Sequence, residues 1–487
     1  MEIIYNAHID REIESHMERI HPPRVCIDND SCRDCTVVKI DSANRHGVLL
    51  EMVQVLAELD LVISKSYISS DGGWLMDAFH VTDQVGHKLT DKGLVHHIQQ
   101  ALCVARSSKG ISNDIELQSC NELPRSKVSV SVLNCALELT MRDQPGLFSD
   151  ISAALVGLGF NVSSATAWTH NERAACIIHL EDANELGPIH DAESLAHVQD
   201  ELQKAVKARD GEEERKTMRL RLRSFAAGRN HTERRLHQMM YADGDYVRCG
   251  AWQGEKEKNG REGIEVSVGR YAEKGYWVVN VKSRDRPKLL FDTVCVLTDM
   301  QYEVFHAAVT SNTSVADQEY FVRPKGSLNL DNESERQKLT LCLIAAIERR
   351  VSHPKVLIIY LSGLKVDIRA ENRKGLLSKV TRVIRENGLS ITKVDIGVEG
   401  ETAIGSFYLR NCSGEDVNPN IAELVRGETG GCVIANYISP YRLPKPVSSS
   451  GRSSMHETNS SQVTPKLSLG TMLWSRLECL SNNFRPH

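Results

Sequence analysis

Apolar residues recur in the same pattern at four places along the chain, and each recurrence predicts one amphipathic helix. Counted from Gly47, Gly146, Lys288 and Gly375, apolar residues stand at positions +1, +2, +8 and +9. This spacing places them on one face of a helix of about three turns. They are Val48, Leu49, Val55 and Leu56; Leu147, Phe148, Ala154 and Leu155; Leu289, Leu290, Val296 and Leu297; and Leu376, Leu377, Val383 and Ile384.

A short polar turn precedes each predicted helix. The four versions read NRHGVL (44–49), DQPGLF (143–148), DRPKLL (285–290) and NRKGLL (372–377). The first residue of each is an asparagine or an aspartate, residue types that favour a helix N-cap, so we predict N-caps at Asn44, Asp143, Asp285 and Asn372. Pro145 and Pro287 would then fall in the first helical turn, where a missing N–H costs nothing.

The elements around each helix predict a ferredoxin-like fold. One extended run comes before the helix, and two more follow it, joined by hairpin turns such as SDGGW (70–74), THNER (169–173) and VEGET (398–402). A second helix is predicted at 91–106, 192–209 and 333–350, and a last strand is less clear. The order predicts an α+β protein of four tandem βαββαβ domains, packed in pairs through their sheets or helices.

The repeats divide the chain into domain-sized segments. We predict an N-terminal extension (1–34), a first domain (35–118), a second domain (134–224), a linker with a helix and a disordered loop (225–273), a third domain (276–352), a fourth domain (364–440) and a flexible serine-rich tail with an amphipathic segment (441–487). The stretch 353–362 has two interpretations that the sequence leaves open. It is either the last strand of the third domain or a sequence artefact.

Composition narrows the class of protein. The chain of 487 residues is 41% apolar and 25% charged, and its formal net charge of -5 argues against a dedicated nucleic-acid binder. No apolar run reaches the roughly 20 residues of a membrane helix. The charged N-terminal stretch does not resemble a secretory signal, so the 13 cysteines are expected to be reduced. We expect a cytoplasmic protein, and the sequence leaves open whether it is also present in the nucleus.

The repeats resemble the ACT domain, a regulatory module that binds small molecules. The resemblance rests on D/N-R-x-G-L-L at the junction of first strand and helix, and on the long stretches 40–83 and 285–309. HTERRLHQMMYADGDY (231–246) is similar to the linker of the plant ACT-domain repeat family, often called ACR proteins. That family is related to the C-terminal sensor domains of bacterial uridylyltransferases. The resemblance implies amino-acid binding where two modules meet, and Lys288 departs from it by replacing the glycine.

The junction has the chemistry to hold a free amino acid. The first turn of a helix offers unpaired N–H groups and a partial positive charge to a carboxylate. A glycine lets a ligand approach the backbone, and an asparagine or aspartate oxygen can accept from the ammonium group. The candidate ligand-binding residues are therefore Asn44, Gly47, Asp143, Gly146, Asp285, Asn372 and Gly375. The alternative is that they serve only as caps and turns.

Three other patterns suggest weaker hypotheses. Cys32 and Cys35 form a C-x-x-C pair, but no second pair follows at zinc-finger spacing, so neither a metal nor a cofactor is predicted. Arg219, Arg221 and Arg223 alternate with apolar residues, as in an edge strand with one solvated face. Leucines at 469, 473, 477 and 480 line one helical face in the tail, which either docks on the repeats or binds a partner.

Three functions stay open at this point. The first is a non-catalytic amino-acid sensor that passes its state to a partner protein. The second is a ligand-independent scaffold that regulates a metabolic enzyme. The third is an enzyme, which has the least support because no catalytic set can be assembled from the sequence. A homodimer is compatible with repeats of one module.

Overall fold

The computed structural model describes residues 24–71, 73–107, 135–182, 196–198, 200–202, 204, 218–224, 231–247, 264–271, 275–312, 314–326, 329–350, 363–413 and 416–437. They belong to two compact units. Unit 1 contains the described residues of 24–107 and 264–340, and unit 2 contains those of 135–247 and 341–437. The strands of the first and third repeats therefore share unit 1, and those of the second and fourth share unit 2; the described residues 341–350 at the end of the third repeat also belong to unit 2.

The elements follow the predicted order. The first repeat has β1 (Arg24–Asp28), β2 (Thr36–Ala43), α1 (Val48–Glu58), β3 (Val62–Asp71), β4 (Trp74–Thr82) and α2 (Lys92–Ser107). The second has β5 (Cys135–Arg142), α3 (Leu147–Gly157), β6 (Phe160–His170), β7 (Arg173–Asp182) and β8 (Arg219–Ser224), followed by α4 (Thr232–Ala242). The third has β9 (Glu265–Tyr271), β10 (Tyr276–Arg284), α5 (Leu289–Asp299), β11 (Tyr302–Asn312), β12 (Val315–Pro324) and α6 (Glu333–Arg349). The fourth has β13 (Leu364–Glu371), α7 (Leu376–Glu386), β14 (Leu389–Glu399), β15 (Thr402–Asn411), α8 (Ile421–Thr429) and β16 (Cys432–Tyr437).

Each unit is built on one eight-stranded antiparallel sheet, which confirms that the domains pack in pairs. The strand order is β1-β2-β4-β3-β11-β12-β10-β9 in unit 1 and β16-β13-β15-β14-β6-β7-β5-β8 in unit 2. The two repeats of unit 1 join where β3 pairs with β11, and those of unit 2 join where β6 pairs with β14. The first helices of paired repeats also pack together, α1 on α5 and α3 on α7.

Unit 2 has a local twofold relation between its repeats. Ser152 and Thr381 occupy the same position, +6, of α3 and α7, and their hydroxyl oxygens lie 2.9 Å apart. On the sheet, Thr166 pairs with Asp395, and both occupy position +20 of their repeats. Because the helices run antiparallel across this axis, the first turn of each faces the last turn of the other. We call this line of contact the seam of unit 2.

The helices begin later than predicted, so the predicted N-caps are wrong. The N-cap residues are Gly47, Gly146, Lys288 and Gly375, all in the left-handed region with φ of 86°, 81°, 60° and 77°. Gly146 has the φ and ψ of the third residue of a type II turn, which explains the preceding proline. Pro145 therefore lies in this turn and not in the helix.

The residues predicted as caps instead tie the turn to the neighbouring hairpin. In each repeat their backbone N–H donates to a carbonyl of the turn between the second and third strands. The four bonds are Asn44 to Gly73 at 2.8 Å, Asp143 to Glu172 at 2.8 Å, Asp285 to Ser314 at 2.9 Å and Asn372 to Glu401 at 2.8 Å. This repeated contact fixes the position of the junction in all four repeats.

The predicted helical face forms the core. Positions +1 and +9 are buried in all four first helices, including Leu56, Leu155 and Leu297 with no exposed surface. A residue with a positive φ follows two positions after the end of each first helix: Asp60, Gly159, Gln301 and Gly388. In the range predicted as the helix 192–209, the described residues between 196 and 204 are helical, and Val198 and Leu202 join the core of unit 2.

The last strand differs between the two units. In unit 2 the edge strands β8 and β16 follow their repeats, and β8 confirms the edge strand predicted from the alternating arginines. In unit 1 the same edge positions are filled by β1 and β9. These two strands come before β2 and β10, which are the first strands of the predicted order. The sequence interpretation missed both strands, which lie inside the predicted extension and linker. β10 has β9 and β12 as its two neighbours, so neither of its edges is left for a further strand. The stretch 353–362, whose interpretation the sequence left open, lies outside the described residues.

The linker helix α4 covers the second face of the sheet in unit 2. Leu236, Met239 and Met240 pack on Trp168 and Ile177, which point away from the first helices. Among the described helices, none is long and apolar enough to cross a membrane. The predicted loop and tail, at 250–263 and 441–487, lie outside the described residues.

Candidate functional site

A shallow cleft among the described residues lies at the seam of unit 2, at the turn before α7. We call it the Gly375 pocket; its empty space of about 370 Å³ includes open solvent in front of it. The fourth repeat contributes Asn372, Arg373, Gly375, Leu376, Leu377, Ser378, Ile396, Val398 and Ala403, and the second repeat contributes Ser152, Val156, Asn161 and Val162. Residues from both repeats therefore enclose the same space.

A second cleft is related to the first by the local twofold axis. We call it the Gly146 pocket, and its empty space of about 200 Å³ also includes open solvent. It is lined by Gln144, Gly146, Leu147, Phe148 and Ser149 of the second repeat and by Thr381, Ile384, Arg385, Leu389 and Ile391 of the fourth. Arg385 occupies position +10 of its helix, where the Gly375 pocket has Val156. The two pockets thus share a position but differ in charge.

The Gly375 pocket presents unpaired backbone donors. The N–H of Leu376 donates to Arg373, and the N–H of Lys379 donates to Gly375. The N–H groups of Leu377 and Ser378 donate to no described residue, and no side chain caps this helix. Both residues line the pocket, so the first turn of α7, with the positive end of its dipole, forms one of its walls.

The remaining surface combines amide groups with aliphatic side chains. Asn372 comes from the junction of the fourth repeat, and Asn161 comes from β6 of the second repeat. Neither amide side chain forms a hydrogen bond with a described residue. Val156, Val162 and Ile396 are among the apolar groups around them. The pocket can therefore bond polar groups at one side and bury an apolar group at the other.

Asp143, beside the Gly146 pocket, is an unusual buried carboxylate. Its Oδ2 accepts from Arg410 Nη2 at 3.1 Å, and its side chain is 8% exposed. Its Oδ1 is buried with no hydrogen-bond partner among the described residues. Burial raises the pKa of Asp143 to about 6, although Arg410 acts in the opposite direction. The backbone N–H of Gln144 also lowers this pKa, but burial prevails, so the group titrates near neutral pH.

The stability of unit 2 should fall as pH rises through the titration of Asp143. The folded pKa of about 6 lies above the usual value of 3.8, so the folded state binds this proton more tightly. The stability that comes from this tighter proton binding is complete below about pH 4 and is lost as pH rises through about 6. We expect Asp143→Asn to stabilise unit 2 at pH 7.5, by at most about 3 kcal/mol, and to change little at pH 4. Thermal unfolding at both pH values measures this.

The matched control for this titration is Asp83, a carboxyl group whose pKa is lowered and not raised. The backbone N–H of His87 donates to the side chain of Asp83 and lowers the pKa of that carboxyl. Asp83→Asn should therefore lose stability at pH 7.5, because the ionised form is the stabilising one. Equal effects of both substitutions at both pH values would contradict the assignment for Asp143.

The corresponding junctions of unit 1 are closed by their own side chains. Asn44 donates through Nδ2 to Ser70 Oγ at 2.6 Å. At the other junction the direction is reversed, and Asp285 accepts a hydrogen bond from the hydroxyl of Ser311. Both serines stand at position +23 of their repeats. In unit 2 this position holds Thr169 and Val398, and neither forms that bond with Asp143 or Asn372.

Salt bridges also tie the junctions of unit 1 to their helices. Arg45 pairs with Glu51, and Arg286 pairs with Asp292 at 2.7 Å with both side chains almost fully buried. The equivalent residues of unit 2 do not pair in this way, because Arg373 binds Glu371 and Asp150 binds Arg385 of the other repeat. The polar groups at the junctions of unit 2 thus remain available to a ligand or bridge the seam.

The predicted site residues separate into two groups. Asn372 and Gly375 line the Gly375 pocket, Gly146 lines the Gly146 pocket, and Asp143 lies beside it. Asn44, Gly47 and Asp285 lie at the closed junctions of unit 1, where Thr298 is the nearest side chain to Gly47. As ligand-binding residues, all seven remain predictions. Within the described residues, no cluster of three or more His, Cys, Asp and Glu could hold a metal ion.

In each pocket, one wall comes from the repeat that carries the glycine turn and the other from its paired repeat. The sequence interpretation missed the residues of that paired repeat. Val156 and Arg385 stand at position +10, directly after the apolar positions that were used to define the helices. Asn161 stands at the start of β6, where it reads as an ordinary strand residue. A signal was present at position +10, but it becomes informative only once the pairing of repeats is known.

The fold and the paired arrangement define a protein of the ACT-domain class. The model of the ACR family N-terminal ACT domain matches residues 31–109, and the ACT domain model matches residues 365–426. ACT domain-containing protein ACR1 of Arabidopsis thaliana is 46% identical over 100% of this chain and 99% of its own length. ACT domain-containing protein ACR3 of the same plant is 42% identical over 89% of this chain and 91% of its own. The chain therefore belongs to the ACR family of ACT-domain repeat proteins.

A more distant similarity reaches a bacterial protein. A bifunctional uridylyltransferase/uridylyl-removing enzyme of Gluconobacter oxydans is 32% identical over 97 residues, which are 20% of this chain and 10% of that protein. The similarity is therefore limited to a segment about the size of one repeat. It agrees with the relation that the sequence resemblance implied.

Proposed function

We propose that this chain is a non-catalytic regulatory protein that binds a free amino acid in the Gly375 pocket. The observation that carries the proposal is that two helix N–H groups and two amide side chains, all without a hydrogen-bond partner among the described residues, belong to residues that line one cleft. ACT-domain membership supports the ligand class. The corresponding junctions of unit 1 are closed, so we assign binding to unit 2.

The carboxylate of the ligand would lie against the first turn of α7. The N–H groups of Leu377 and Ser378 can each donate to one of its oxygens, and the helix dipole favours the negative charge. Gly375 has no side chain to hinder this approach, and the nearest groups to a Cβ placed there are the methyls of Val156, at 3.8 and 3.9 Å. Arg373 also lines this pocket, and its guanidinium is paired with Glu371.

The ammonium group and the side chain of the ligand would face the other repeat. The amide oxygens of Asn372 and Asn161 can accept from the ammonium, which lies two bonds from the carboxylate carbon. The aliphatic groups of Val156, Val162 and Ile396 then surround the ligand side chain. An aliphatic amino acid fits this surface best, because a charged side chain would be buried there without a partner.

Binding would report on metabolite concentration through the seam. The ligand contacts α3 and β6 of one repeat and α7 of the other, so it favours the arrangement in which these elements stay together. A ligand of this size gives an affinity of roughly micromolar to millimolar. The change at the seam is then passed to a partner protein that distinguishes the two arrangements.

Titration calorimetry with the proteinogenic amino acids tests this function. We expect heat from aliphatic amino acids with the intact chain, and an affinity reduced at least about tenfold in Asn372→Ala, because one charge-assisted hydrogen bond is lost. The matched control is Asn44→Ala, which removes the equivalent side chain from unit 1. It should leave the affinity unchanged. Equal losses in both variants would contradict assignment to the Gly375 pocket.

A ligand-independent scaffold is the second candidate function. The strand β16 favours it, because Ile434 and Tyr437 are 53% and 54% exposed, and β13 is the one neighbour of β16 among the described strands. An exposed edge of this kind can pair with a strand of another protein. The absence of heat with every amino acid in the calorimetric panel would favour this function.

A further inference from the structure

The loop between β1 and β2 brings two cysteines together. Cys32 and Cys35 belong to the C-x-x-C pair, and their sulfur atoms lie 3.1 Å apart. A disulfide bond has a sulfur separation of about 2.05 Å, so an approach of about 1 Å would form one. The pair lies outside both pockets and takes no part in the proposed amino-acid binding.

Hydrogen bonds hold this loop in place at both ends. Asp28 Oδ1 accepts from the backbone N–H groups of Asp30 and Ser31, both at 2.9 Å. Thr36 Oγ1 donates to Asn29 Oδ1 at 2.6 Å. Lys88 donates to the carbonyl of Asn29 at 2.7 Å, which ties the loop to the segment before α2. These hydrogen bonds fix the conformation of the loop that carries the two sulfur atoms.

The two thiols have different environments. Cys32 is half-buried, whereas Cys35 is 6% exposed. The hydrogen bond from Cys35, together with the backbone N–H of Asp34, lowers the pKa of Cys32. Burial and the contact with Cys32 raise the pKa of Cys35 to about 12. A half-buried thiol of lowered pKa beside a buried thiol is the arrangement of an attacking and a resolving cysteine.

We propose that Cys32 and Cys35 form a thiol-oxidation site, in which a hydroperoxide oxidises Cys32 and Cys35 then closes a disulfide within the loop. Cys32 first gives up its thiol proton, and its sulfur attacks the peroxide: an S–O bond forms, the O–O bond breaks, and the hydroxide or alkoxide that leaves takes up that proton and departs as water or an alcohol. Cys32 is then a sulfenic acid. The sulfur of Cys35 next attacks Cys32, the S–S bond forms, the S–O bond breaks and a water leaves with the Cys35 proton. The two cysteines lose two electrons and the peroxide gains them.

Oxidation would act on the strand that precedes the first repeat. The loop 29–35 joins β1 to β2, and the new bond would hold its four residues from Cys32 to Cys35 in one conformation. The hairpin of β1 and β2 would then be connected more rigidly at the edge of the unit 1 sheet. Reduction by a dithiol or by a small thiol would return the loop to its open form.

Peptide-resolved mass spectrometry of the full chain after graded hydrogen peroxide tests the proposal. We expect the peptide that carries Cys32 and Cys35 to lose the mass of two hydrogen atoms at a peroxide concentration that leaves the exposed Cys412 and Cys432 as thiols. Dithiothreitol should restore the original mass. Oxidation of Cys412 or Cys432 before this pair, or a pair that stays reduced throughout, would overturn it.

Two variants separate the roles of the cysteines. In Cys35→Ser, Cys32 should accumulate as a sulfenic acid that dimedone traps, because the resolving thiol is missing. In Cys32→Ser, the buried Cys35 should stay a thiol. Dimedone labelling of Cys35 in Cys32→Ser, or none of Cys32 in Cys35→Ser, would contradict the assigned roles. Thermal unfolding of both variants checks that they remain folded.

Discussion

Arg349→Met is expected to destabilise unit 2 by about 3–5 kcal/mol, because it leaves a buried carboxylate without its cation. Arg349 binds Asp245 through two hydrogen bonds of 2.6 Å, and the side chains are 2% and 0% exposed. Burial alone would raise the pKa of Asp245, but the Arg349 guanidinium and His170 hold it well below its usual range. The substitution removes this compensation and keeps most of the side-chain volume.

The same network connects several elements, which adds to the expected loss. His170 at the end of β6 contacts Asp245 at 2.9 Å and Glu348 at 3.3 Å. Asn171 donates to the carbonyl of Asp245 at 2.8 Å. Asp245 therefore holds the segment after α4 against the β6–β7 hairpin and the end of α6. Removal of Arg349 weakens all of these contacts.

Native-state hydrogen exchange resolves this effect within the intact chain, because it reports the opening of each region separately. Protection of the amides in β5, β6 and β7 should fall by the full expected amount. The matched control is Arg382→Met, which breaks an exposed pair with Glu428 at 3.1 Å and should change stability by less than about 1 kcal/mol. Similar losses in both variants would show that the buried pair has no special role.

Val156→Trp is expected to abolish detectable amino-acid binding by filling the Gly375 pocket. Val156 is half-buried at the end of α3, and its methyl groups are the nearest side-chain atoms to the turn at Gly375. An indole in this position would occupy the space where the ligand side chain and the carboxylate meet. We expect at least a hundredfold loss of affinity, about 2.7 kcal/mol.

Val156→Ala is the control for this substitution. It removes methyl groups from the same position and leaves the pocket open, so binding should persist with a modest loss of apolar contact. Titration calorimetry of both variants measures the difference, and their hydrogen-exchange protection shows whether unit 2 remains intact. Unchanged affinity in a folded Val156→Trp would place the ligand elsewhere.

Local features of the fold could be predicted from the sequence because they depend on neighbouring residues. The spacing of Leu147 and Leu155 predicted the buried face of α3. The N-caps were wrong because an aspartate before a helix can also bond the next hairpin. Asp143 does so through its backbone, and Gly146 takes the cap position.

Features that depend on distant pairing could not be predicted. The sequence gives no reason for the second repeat to pair with the fourth, because every repeat has similar strand edges. Asn372 could therefore be predicted at a junction, but not its proximity to Asn161 and Val156. The difference between open and closed junctions depends on position +23, where Ser70 bonds Asn44 and Val398 leaves Asn372 free. That comparison requires the structure.

Chemical-shift titration of the full chain, labelled with ¹⁵N at leucine and serine, tests the location of the ligand most directly. With an aliphatic amino acid that releases heat in calorimetry, the amide signals of Leu377 and Ser378 should shift with the same dissociation constant. Each N–H would then be donating to the ligand carboxylate. Stationary signals at Leu377 and Ser378 with shifts at Leu49 and Leu50, their counterparts in unit 1, would contradict binding in the Gly375 pocket.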